Sequence, residues 1–376
     1  MQLSDLETPA LLLDVPTMDA NIARMRAHLR ALGVGFRPHV KTAKSADVVR
    51  RFFDGGTGPI TVSTLKEAEA FADQGCTDIL YAVGIAPNKL AHAARLRARG
   101  VDLTVLVDNV EIAGALAAQA RAQGAALPAL IEIDSDGHRA GVAPESADLL
   151  AVGRALHAAG SLAGVMTHAG ASYDCRSVAA IRAMAEQERS RTVRAAARLR
   201  DAGLPCPVVS VGSSPTATYA ERLDGVTEVR AGVFVFFDLV MAGIGVCRVE
   251  DLALSVLTTV IGHQRERGWL VTDAGWMALS RDRGTASQPV DQGYGLVCDA
   301  AGALLPDIVM TGANQEHGIL AHRSGDPARM PMLPVGTLLR ILPNHACATG
   351  AQHDRYHAVR GASPEIEAVW PRFSGW

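Results

Sequence analysis

Two lysines, Lys41 and Lys44, stand in the run Phe36–Lys44, directly after a predicted strand that begins at Val34. A lysine at the end of a barrel strand can lie in the barrel mouth, where loss of solvent frees its amine to condense with a carbonyl group. This position makes Lys41 a candidate for covalent, Schiff-base chemistry. The alternative is that both lysines are solvated at the start of the next helix, and position alone leaves that open.

Two loops of small residues could bind a phosphate group. A predicted strand at Val208–Val211 passes into a hydroxyl-rich turn that contains Gly212, Ser213 and Thr216. Backbone N–H groups and hydroxyls at the start of a helix can hold an anion. A second strand, at Glu228–Arg230, is followed by Gly232, which lets the backbone approach a ligand closely. Late strands of barrels often end in phosphate sites; an ordinary N-capping loop is the alternative.

Three further polar residues follow predicted strand ends: Arg139, His168 and Tyr173. Arg139 lies in a glycine-flanked loop, where it is available to a phenolate or a carboxylate, or else forms a surface salt bridge. A lone histidine such as His168 is more often a buried structural residue than a catalyst. The residue types alone leave both interpretations of this group open.

A candidate metal site lies in the run Leu342–Gly350, where His345 and Cys347 are two residues apart. In an extended segment such side chains share a face, and imidazole with thiolate suits a borderline-soft metal such as zinc. Two protein ligands leave coordination positions for water or a substrate oxygen, as a Lewis acid requires. The same spacing also arises by chance. The run Asn314–Gly318 could add a polar group to this site or form a surface β-turn.

The elements that must position these residues alternate regularly over residues 10–245. Short β-branched runs, from Leu11–Asp14 to Glu228–Arg230, alternate with amphipathic helical stretches such as Met18–Leu32. About eight βα alternations predict a parallel (β/α)8 barrel, of the α/β class. An open, doubly wound sheet is the competitor, but no G-x-G-x-x-G motif follows the first strand.

The alternation of predicted strands and helices ends after about residue 250. Short β-rich runs, separated by Gly, Pro and Asp, extend from Leu252–Gly262 to Thr337–Leu342 without long helical patterns. This pattern predicts a smaller, mostly antiparallel β domain. We assign residues 10–245 to the barrel and residues 246–376, with residues 1–9, to the β domain that carries the candidate metal site.

Composition and charge exclude several classes of function. The 376 residues carry a net charge of −3 and 5% aromatics, which argues against nucleic-acid binding. The six cysteines are scattered without a CxxC pair, which favours a reducing compartment over a disulfide scaffold. We expect a cytoplasmic enzyme, since the acidic N-terminus does not resemble a signal peptide and no apolar run is long enough to span a membrane.

Taken together, these motifs resemble the fold-type III pyridoxal-phosphate enzymes of the D-threonine aldolase and D-serine dehydratase family. The resemblance covers essentially the whole chain and is carried by five segments: Leu6–Ala10, the RPHVKT run at Arg37–Thr42, the DGHRAGV run at Asp136–Val142, the loop at Gly212, and the PNHACAT run at Pro343–Thr349. It implies an alanine-racemase-like barrel followed by a C-terminal, mostly antiparallel β domain.

The resemblance also implies a set of site residues. Pyridoxal 5'-phosphate would be bound covalently by Lys41, and a divalent metal (Mn, Zn, Co or Ni) by His345 and Cys347. Arg139 and Tyr173 would face the cofactor ring, and His168 is counted with the cofactor-binding residues. The cofactor phosphate would be held by Gly212, Ser213, Thr216, Gly232 and Val233. Such enzymes resemble homodimers with the active site near the subunit interface.

Two details distinguish branches of this family. The aldolases resemble one another in an H-x-D metal pair, whereas this chain has a cysteine at position 347, as the dehydratases do. The lysine motif of the aldolases and D-serine dehydratases commonly reads K-x-H-K, but Ala43 stands here in place of the histidine. Ala43 and the runs Ile60–Glu69 and Leu223–Asp238 resemble the members that act on D-threo-3-hydroxyaspartate.

The resemblance therefore predicts a carbon–nitrogen lyase. It would dehydrate and deaminate a small D-3-hydroxy amino acid by β-elimination, with D-threo-3-hydroxyaspartate giving oxaloacetate and ammonia. The alternatives are D-serine dehydration, retro-aldol cleavage of D-threonine or 3-hydroxy-D-aspartate, and a non-enzymatic pyridoxal-phosphate-binding regulator. Arg281 and Arg283 are candidates for binding the β-carboxylate, and the sequence does not choose between them.

Overall fold

The computed structural model describes residues 1–376, and its contacts divide the chain into two units. One unit contains residues 1–23 and 233–374; the other contains residues 24–232 and the last two residues. The first regular elements are strand β1 (Ala10–Asp14) and helix α1 (Val15–Ala31), which runs from the first unit into the second.

The second unit is built on eight parallel strands. They are β2 (Gly35–Phe36), β3 (Ile60–Val62), β4 (Asp78–Gly84), β5 (Asp102–Val107), β6 (Ala129–Glu132), β7 (Leu162–Met166), β8 (Val208–Val211) and β9 (Glu228–Val229). Their order is β2-β9-β8-β7-β6-β5-β4-β3, and every pair is parallel. A bridge between His39 and Thr61 joins the two edges, because Val40 N–H donates to Thr61 O at 2.9 Å and Thr61 N–H to Pro38 O at 2.9 Å. The predicted (β/α)8 architecture is confirmed.

Helices follow the strands of this sheet. They are α2 (Ala46–Phe52), α3 (Leu65–Asp73), α4 (Leu90–Ala98), α5 (Val110–Gln123), α6 (Ala147–Ala158), α7 (Val178–Asp201) and α8 (Ser214–Tyr219). Side-chain oxygens satisfy N–H groups at several helix starts, as Asn109 does for α5 and Ser177 for α7. Helix α5 is followed by Gly124, whose φ of +67° is the left-handed conformation common after a helix.

The first unit is built on a nine-stranded sheet that is antiparallel apart from one pair. After β1 its strands are β10 (Leu254–Gln264), β11 (Trp269–Thr272), β12 (Gly295–Asp299), β13 (Leu304–Ala313), β14 (Gly318–His322), β15 (Leu338–Pro343), β16 (Arg355–Val359) and β17 (Ile366–Pro371). Their order is β11-β14-β13-β12-β15-β10-β1-β16-β17. Three short helices belong to this unit: α9 (Leu239–Gly243), α10 (Trp276–Leu279) and α11 (Ala346–Gly350). The predicted antiparallel C-terminal domain is confirmed.

Strand β1 differs from its sequence assignment. It pairs antiparallel with β10 and parallel with β16, so it lies in the nine-stranded sheet and not among the barrel strands. Leu11, Leu12 and Leu13 are all buried. A short apolar run of this kind suits a parallel barrel strand and a covered antiparallel strand equally, and periodicity does not separate the two. The contacts likewise group residues 10–23 and 233–245 with the antiparallel sheet, unlike the boundaries assigned from sequence.

Candidate cofactor and metal sites

Lys41 lies in the segment between β2 and α2, at the end of the barrel strands. Backbone bonds hold this segment on both sides: His39 N–H donates to Ala231 O at 2.8 Å, and Val40 N–H donates to Thr61 O at 2.9 Å. The neighbours Val40, Thr42 and Ala43 are buried, whereas Lys41 is exposed. The backbone around Lys41 is therefore fixed while its amine remains accessible.

The second lysine of this segment has a structural partner. Lys44 Nζ lies 3.1 Å from Glu67 Oε1, and Glu67 is only 2% exposed. The other oxygen of Glu67 accepts the Ser63 N–H at 2.9 Å. Lys44 also has a positive φ of 45°, which is uncommon outside glycine. Of the two lysines, Lys44 is held in an ion pair with a buried carboxylate, whereas the amine of Lys41 remains accessible to a ligand.

The Gly212 turn is a tightly packed connection between β8 and α8. Ser213 and Thr216 form a reciprocal cap at the start of α8. Gly212 has a φ of +137°, and a Cβ there would lie 2.1 Å from the Arg230 carbonyl oxygen. Only glycine therefore allows the ends of β8 and β9 to approach this closely.

The second glycine loop offers backbone donors. A Cβ on Gly232 would lie 3.0 Å from the His39 carbonyl oxygen, so this loop packs directly against the Lys41 segment. The N–H groups of Gly232 and of the following Val233 donate to no protein acceptor. Two adjacent free N–H groups beside a hydroxyl-capped turn are suited to an anion such as a phosphate.

A buried ion cluster connects the ends of β7, β8 and β9, and sequence reasoning missed it. Glu188, on α7, accepts the N–H groups of Ala169 at 2.9 Å and Gly212 at 3.1 Å. Arg230 donates to Ser210 Oγ at 2.9 Å and to the Thr167 carbonyl oxygen. Burial raises the pKa of Glu188 and lowers that of Arg230, and the two opposite charges attract. The cluster fixes the loops that carry the candidate cofactor residues.

His168 is held in one tautomer by this arrangement. Its Nδ1 lies 3.0 Å from the Gly212 carbonyl oxygen, so Nδ1 carries the proton and Nε2 is an acceptor. Burial, reinforced by the charges of Lys41, Arg230 and Arg139, lowers the pKa of His168 to about 3. The imidazole is therefore neutral, and both Lys41 and Arg139 are near enough for their charges to act on it.

Tyr173 and Arg139 complete the group at this end of the barrel. The Tyr173 ring lies 6.2 Å from the His168 ring, in a short 3-10 helix at Gly170–Asp174. Arg139 Nη2 lies 3.5 Å from Glu132 Oε1 and its side chain is 59% exposed. Burial raises the pKa of Glu132. The structure places Tyr173 beside His168 and leaves most of the Arg139 guanidinium free for a ligand.

The candidate metal residues lie at the start of α11 in the other unit. His345 is the residue before this helix, and Cys347 is in its first turn. The prediction that both residues lie in one extended segment is therefore wrong. The two side chains still contact each other, because they hydrogen bond. His345 Nδ1 donates to Asp282 Oδ2 at 2.6 Å. Burial alone would lower the pKa of His345, but the bonds to Asp282 and Cys347 outweigh it and raise this pKa to about 11.

The surroundings of this pair are ordered by buried polar residues. Asp238 is 2% exposed and accepts the Ala346 N–H at 3.0 Å, which fixes the first turn of α11. Burial raises the pKa of Asp238. Asn344 is also buried and donates to Gly293 O at 2.8 Å. No group of three or more His, Cys, Asp and Glu residues has metal-binding geometry, so a metal held by His345 and Cys347 would have two protein ligands.

The remaining candidates from the sequence are surface residues. Asn314 to His317 form the turn between β13 and β14 and are exposed, as the β-turn interpretation predicts. Arg283 pairs with Asp291 at 2.5 Å. The Arg281 guanidinium lies 5.2 Å from the Trp276 ring centre. These two arginines flank Asp282, the residue that holds His345.

Comparison with known proteins shows the family to which the chain belongs. Residues 13–240 match the family model of the alanine racemase N-terminal domain, and residues 253–359 match that of a putative serine dehydratase domain. D-threo-3-hydroxyaspartate dehydratase of Delftia sp. (strain HT23) is 58% identical over 99% of this chain and 98% of its own. The chain belongs to the D-serine dehydratase and D-threonine aldolase family of fold-type III pyridoxal-phosphate enzymes.

Other family members show the same full-length similarity. D-serine dehydratase of Dictyostelium discoideum is 29% identical over 98% of this chain and 97% of its own. A solved structure of a Cys-to-Ala variant of D-threo-3-hydroxyaspartate dehydratase, in the metal-free form, superposes with a TM-score of 0.96 at 57% identity, covering 100% of both chains. The predicted family, its dependence on pyridoxal 5'-phosphate and its carbon–nitrogen lyase activity are confirmed.

No helix of this protein is both long enough and apolar enough to cross a membrane. All six cysteines are free thiols, as the scattered spacing predicts.

Proposed function

We propose that this protein is a pyridoxal-phosphate- and divalent-metal-dependent lyase that converts D-threo-3-hydroxyaspartate to oxaloacetate and ammonia. The observation that carries the proposal is the 58% identity, over almost the full length of both chains, to an enzyme of that activity. The contact between His345 and Cys347, with Asp282 behind it, supports a metal-assisted reaction.

The barrel residues fit pyridoxal 5'-phosphate. Lys41 would hold it through the exposed amine, and the free N–H groups of Gly232 and Val233 with the Ser213–Thr216 cap would hold the phosphate. Arg139 and Tyr173 would contact the ring, with neutral His168 alongside. When bound, this cofactor supplies an electron sink for the charge that develops at Cα.

Lys41 would move the proton in this reaction. Its amine, once free, takes the Cα proton as a general base. The rigid backbone on both sides of Lys41 keeps that amine at one position. His168 cannot compete for the proton near neutral pH, because its pKa is about 3 and its Nδ1 proton is committed to Gly212.

His345 and Cys347 would hold the divalent ion (Mn, Zn, Co or Ni), which would supply a Lewis acid for departure of the β-hydroxyl group. Imidazole nitrogen and thiolate sulfur suit such borderline metals. Asp282 fixes the tautomer of His345. Overall, the amino acid loses water, and hydrolysis of the resulting enamine returns one water and releases ammonia with the 2-oxo acid.

An assay of the cofactor-loaded protein tests this proposal. D-threo-3-hydroxyaspartate, D-serine and D-threonine are supplied with and without a chelator, and ammonia, 2-oxo acid and glycine are measured. We expect ammonia with oxaloacetate, lost on chelation. D-serine as the better substrate would shift the assignment to D-serine dehydration. Glycine without ammonia would identify retro-aldol cleavage, and no product from any substrate would favour a regulator.

The proposed assembly is a homodimer in the cytoplasm. The free cysteines are in keeping with a reducing compartment. Light scattering of the purified protein tests the dimer, because a monomer mass would contradict it.

A further inference from the structure

A cavity of about 390 Å³ lies within the unit built on the antiparallel sheet. Its polar wall contains Asp14, Ser255, Cys298 and Arg340, and its volume is in the range of small-molecule sites. None of its lining residues belongs to the candidate cofactor or metal residues. The cavity is therefore a feature that the proposed reaction does not explain.

Arg340 is the unusual member of this lining. The residue is only 5% exposed, and its Nε and Nη2 are buried without a hydrogen-bond partner. No carboxylate lies within ion-pair distance of the guanidinium. Burial lowers the pKa of Arg340. Two buried guanidinium nitrogens without partners are costly, so these free donors are suited to an anionic ligand.

The unpartnered atoms form the edge of the guanidinium that binds carboxylates elsewhere in this protein. Arg189 binds both oxygens of Glu186 through Nε and Nη2, at 2.9 and 2.6 Å. Arg355 binds Asp354 in the same way, at 2.7 and 2.6 Å. Two parallel N–H groups match the two oxygens of one carboxylate. The free edge of Arg340 thus specifies a carboxylate more narrowly than a positive charge alone would.

The rest of the cavity limits the charge of its ligand. Asp14 and Glu250 also line it, and the charge of Asp14 is the strongest acidic influence on Arg340, although the two do not form an ion pair. A second negative charge on the ligand would face these carboxylates, whereas an ammonium group would be attracted to them. Val249, Leu252 and Leu342 supply apolar surface for a side chain.

We propose that this cavity binds the zwitterion of an α-amino acid, with its carboxylate on Arg340 and its ammonium group toward Asp14 and Glu250. The site is separate from the residues assigned to the reaction, and it does not depend on the proposed substrate.

Calorimetry of the cofactor-loaded protein with N,N-dimethylglycine tests this site. This probe carries both charges, but its tertiary amine cannot condense with pyridoxal phosphate. We expect saturable binding with unchanged cofactor absorbance, and about tenfold weaker binding of propionate and of dimethylethylamine, because each lacks one charge. Arg340→Met and Asp14→Asn should each weaken binding of the probe about tenfold or more.

Arg355→Met is the matched control, since Arg355 is exposed and already paired with Asp354, and it should bind like the wild type. Absence of binding by the wild type up to about 50 mM would overturn the proposal, as would equal binding by Arg340→Met. Equal affinity for propionate would overturn the zwitterion assignment. If Arg340→Met fails to fold, Asp14→Asn still decides, because asparagine keeps the oxygen that accepts the Thr17 N–H.

Discussion

Asp282 Oδ2 accepts a hydrogen bond from His345 Nδ1 across 2.6 Å, although the two residues are 63 positions apart. In the neutral ring that a metal requires, this bond places the remaining proton on Nδ1 and leaves Nε2 as the atom that can bind the metal. It also lowers the pKa of Asp282, so this carboxylate remains charged at neutral pH. The orientation of one proposed metal ligand is thus set before any metal binds.

Asp282→Asn should weaken metal binding about 10- to 100-fold and leave pyridoxal-phosphate content unchanged, because the change removes the charge that orients His345. Metal content after dialysis against graded chelator measures the effect. Asp354→Asn is the control, since Asp354 forms an exposed pair with Arg355. Unchanged metal affinity in Asp282→Asn would show that the bond has no positioning role.

Cys347→Ala should lose the metal and reduce turnover to the level of the chelated wild type, while the cofactor absorbance persists. The reason is that one of the two proposed protein ligands is removed. Metal analysis and ammonia release measure the two effects. Cys247→Ala should retain both properties, and full activity of Cys347→Ala in metal-free buffer would contradict the Lewis-acid role.

Lys41→Ala should abolish both turnover and the absorbance of covalently held cofactor, whereas Lys44→Met should keep that absorbance. Loss of Lys44 leaves the buried Glu67 carboxylate unpaired, so Lys44→Met should instead lower the free energy of unfolding by about 3 kcal/mol. Visible spectra and urea unfolding separate these outcomes. A Lys41→Ala protein that kept its absorbance would exclude Lys41 as the attachment site.

Glu188→Ala should lower the free energy of unfolding by about 2–5 kcal/mol, because the N–H groups of Ala169 and Gly212 and the charge of Arg230 lose a buried partner. Glu188→Gln retains an acceptor oxygen and should cost less. Urea unfolding of both variants gives the comparison. Equal losses would show that the hydrogen-bond acceptor is not what matters at this position.

His168 should make stability depend on pH. Its pKa is about 3 in the folded protein, whereas an unfolded histidine has a pKa of about 6.5. Between these values the unfolded state binds a proton that the folded state does not, so stability falls as the pH drops through this range. The expected slope is about 1.4 kcal/mol per pH unit.

His168→Asn should remove this slope. Burial is also the largest cause that lowers the pKa of His39, and His168 adds only a smaller contribution to it. His39 is present in both proteins, so the difference between wild type and variant reports chiefly on His168. Urea unfolding of both proteins from pH 4.5 to 7 measures it. Parallel pH profiles would contradict the buried, neutral state of His168.

The sequence by itself determined the features that are encoded locally. The alternation of apolar strands and amphipathic helices predicted the barrel, because periodicity follows from which face of each element is buried. Glycine at positions 212 and 232 marked two close backbone approaches, since a Cβ is excluded at Gly212 and would be crowded at Gly232. The five motif segments taken together, including those around Lys41, His345 and Cys347, identified the family, as the comparisons confirm.

Only the tertiary structure decided which distant groups meet. Strand β1 joins the antiparallel sheet because of its pairing with β10, a partner more than 200 residues away that its own apolar run does not specify. Lys44 is set apart from Lys41 by a buried carboxylate on α3, and His345 is oriented by Asp282. Which opposite charge a side chain pairs with depends on how the fold brings distant elements together. The residues next to it in the sequence do not specify that contact.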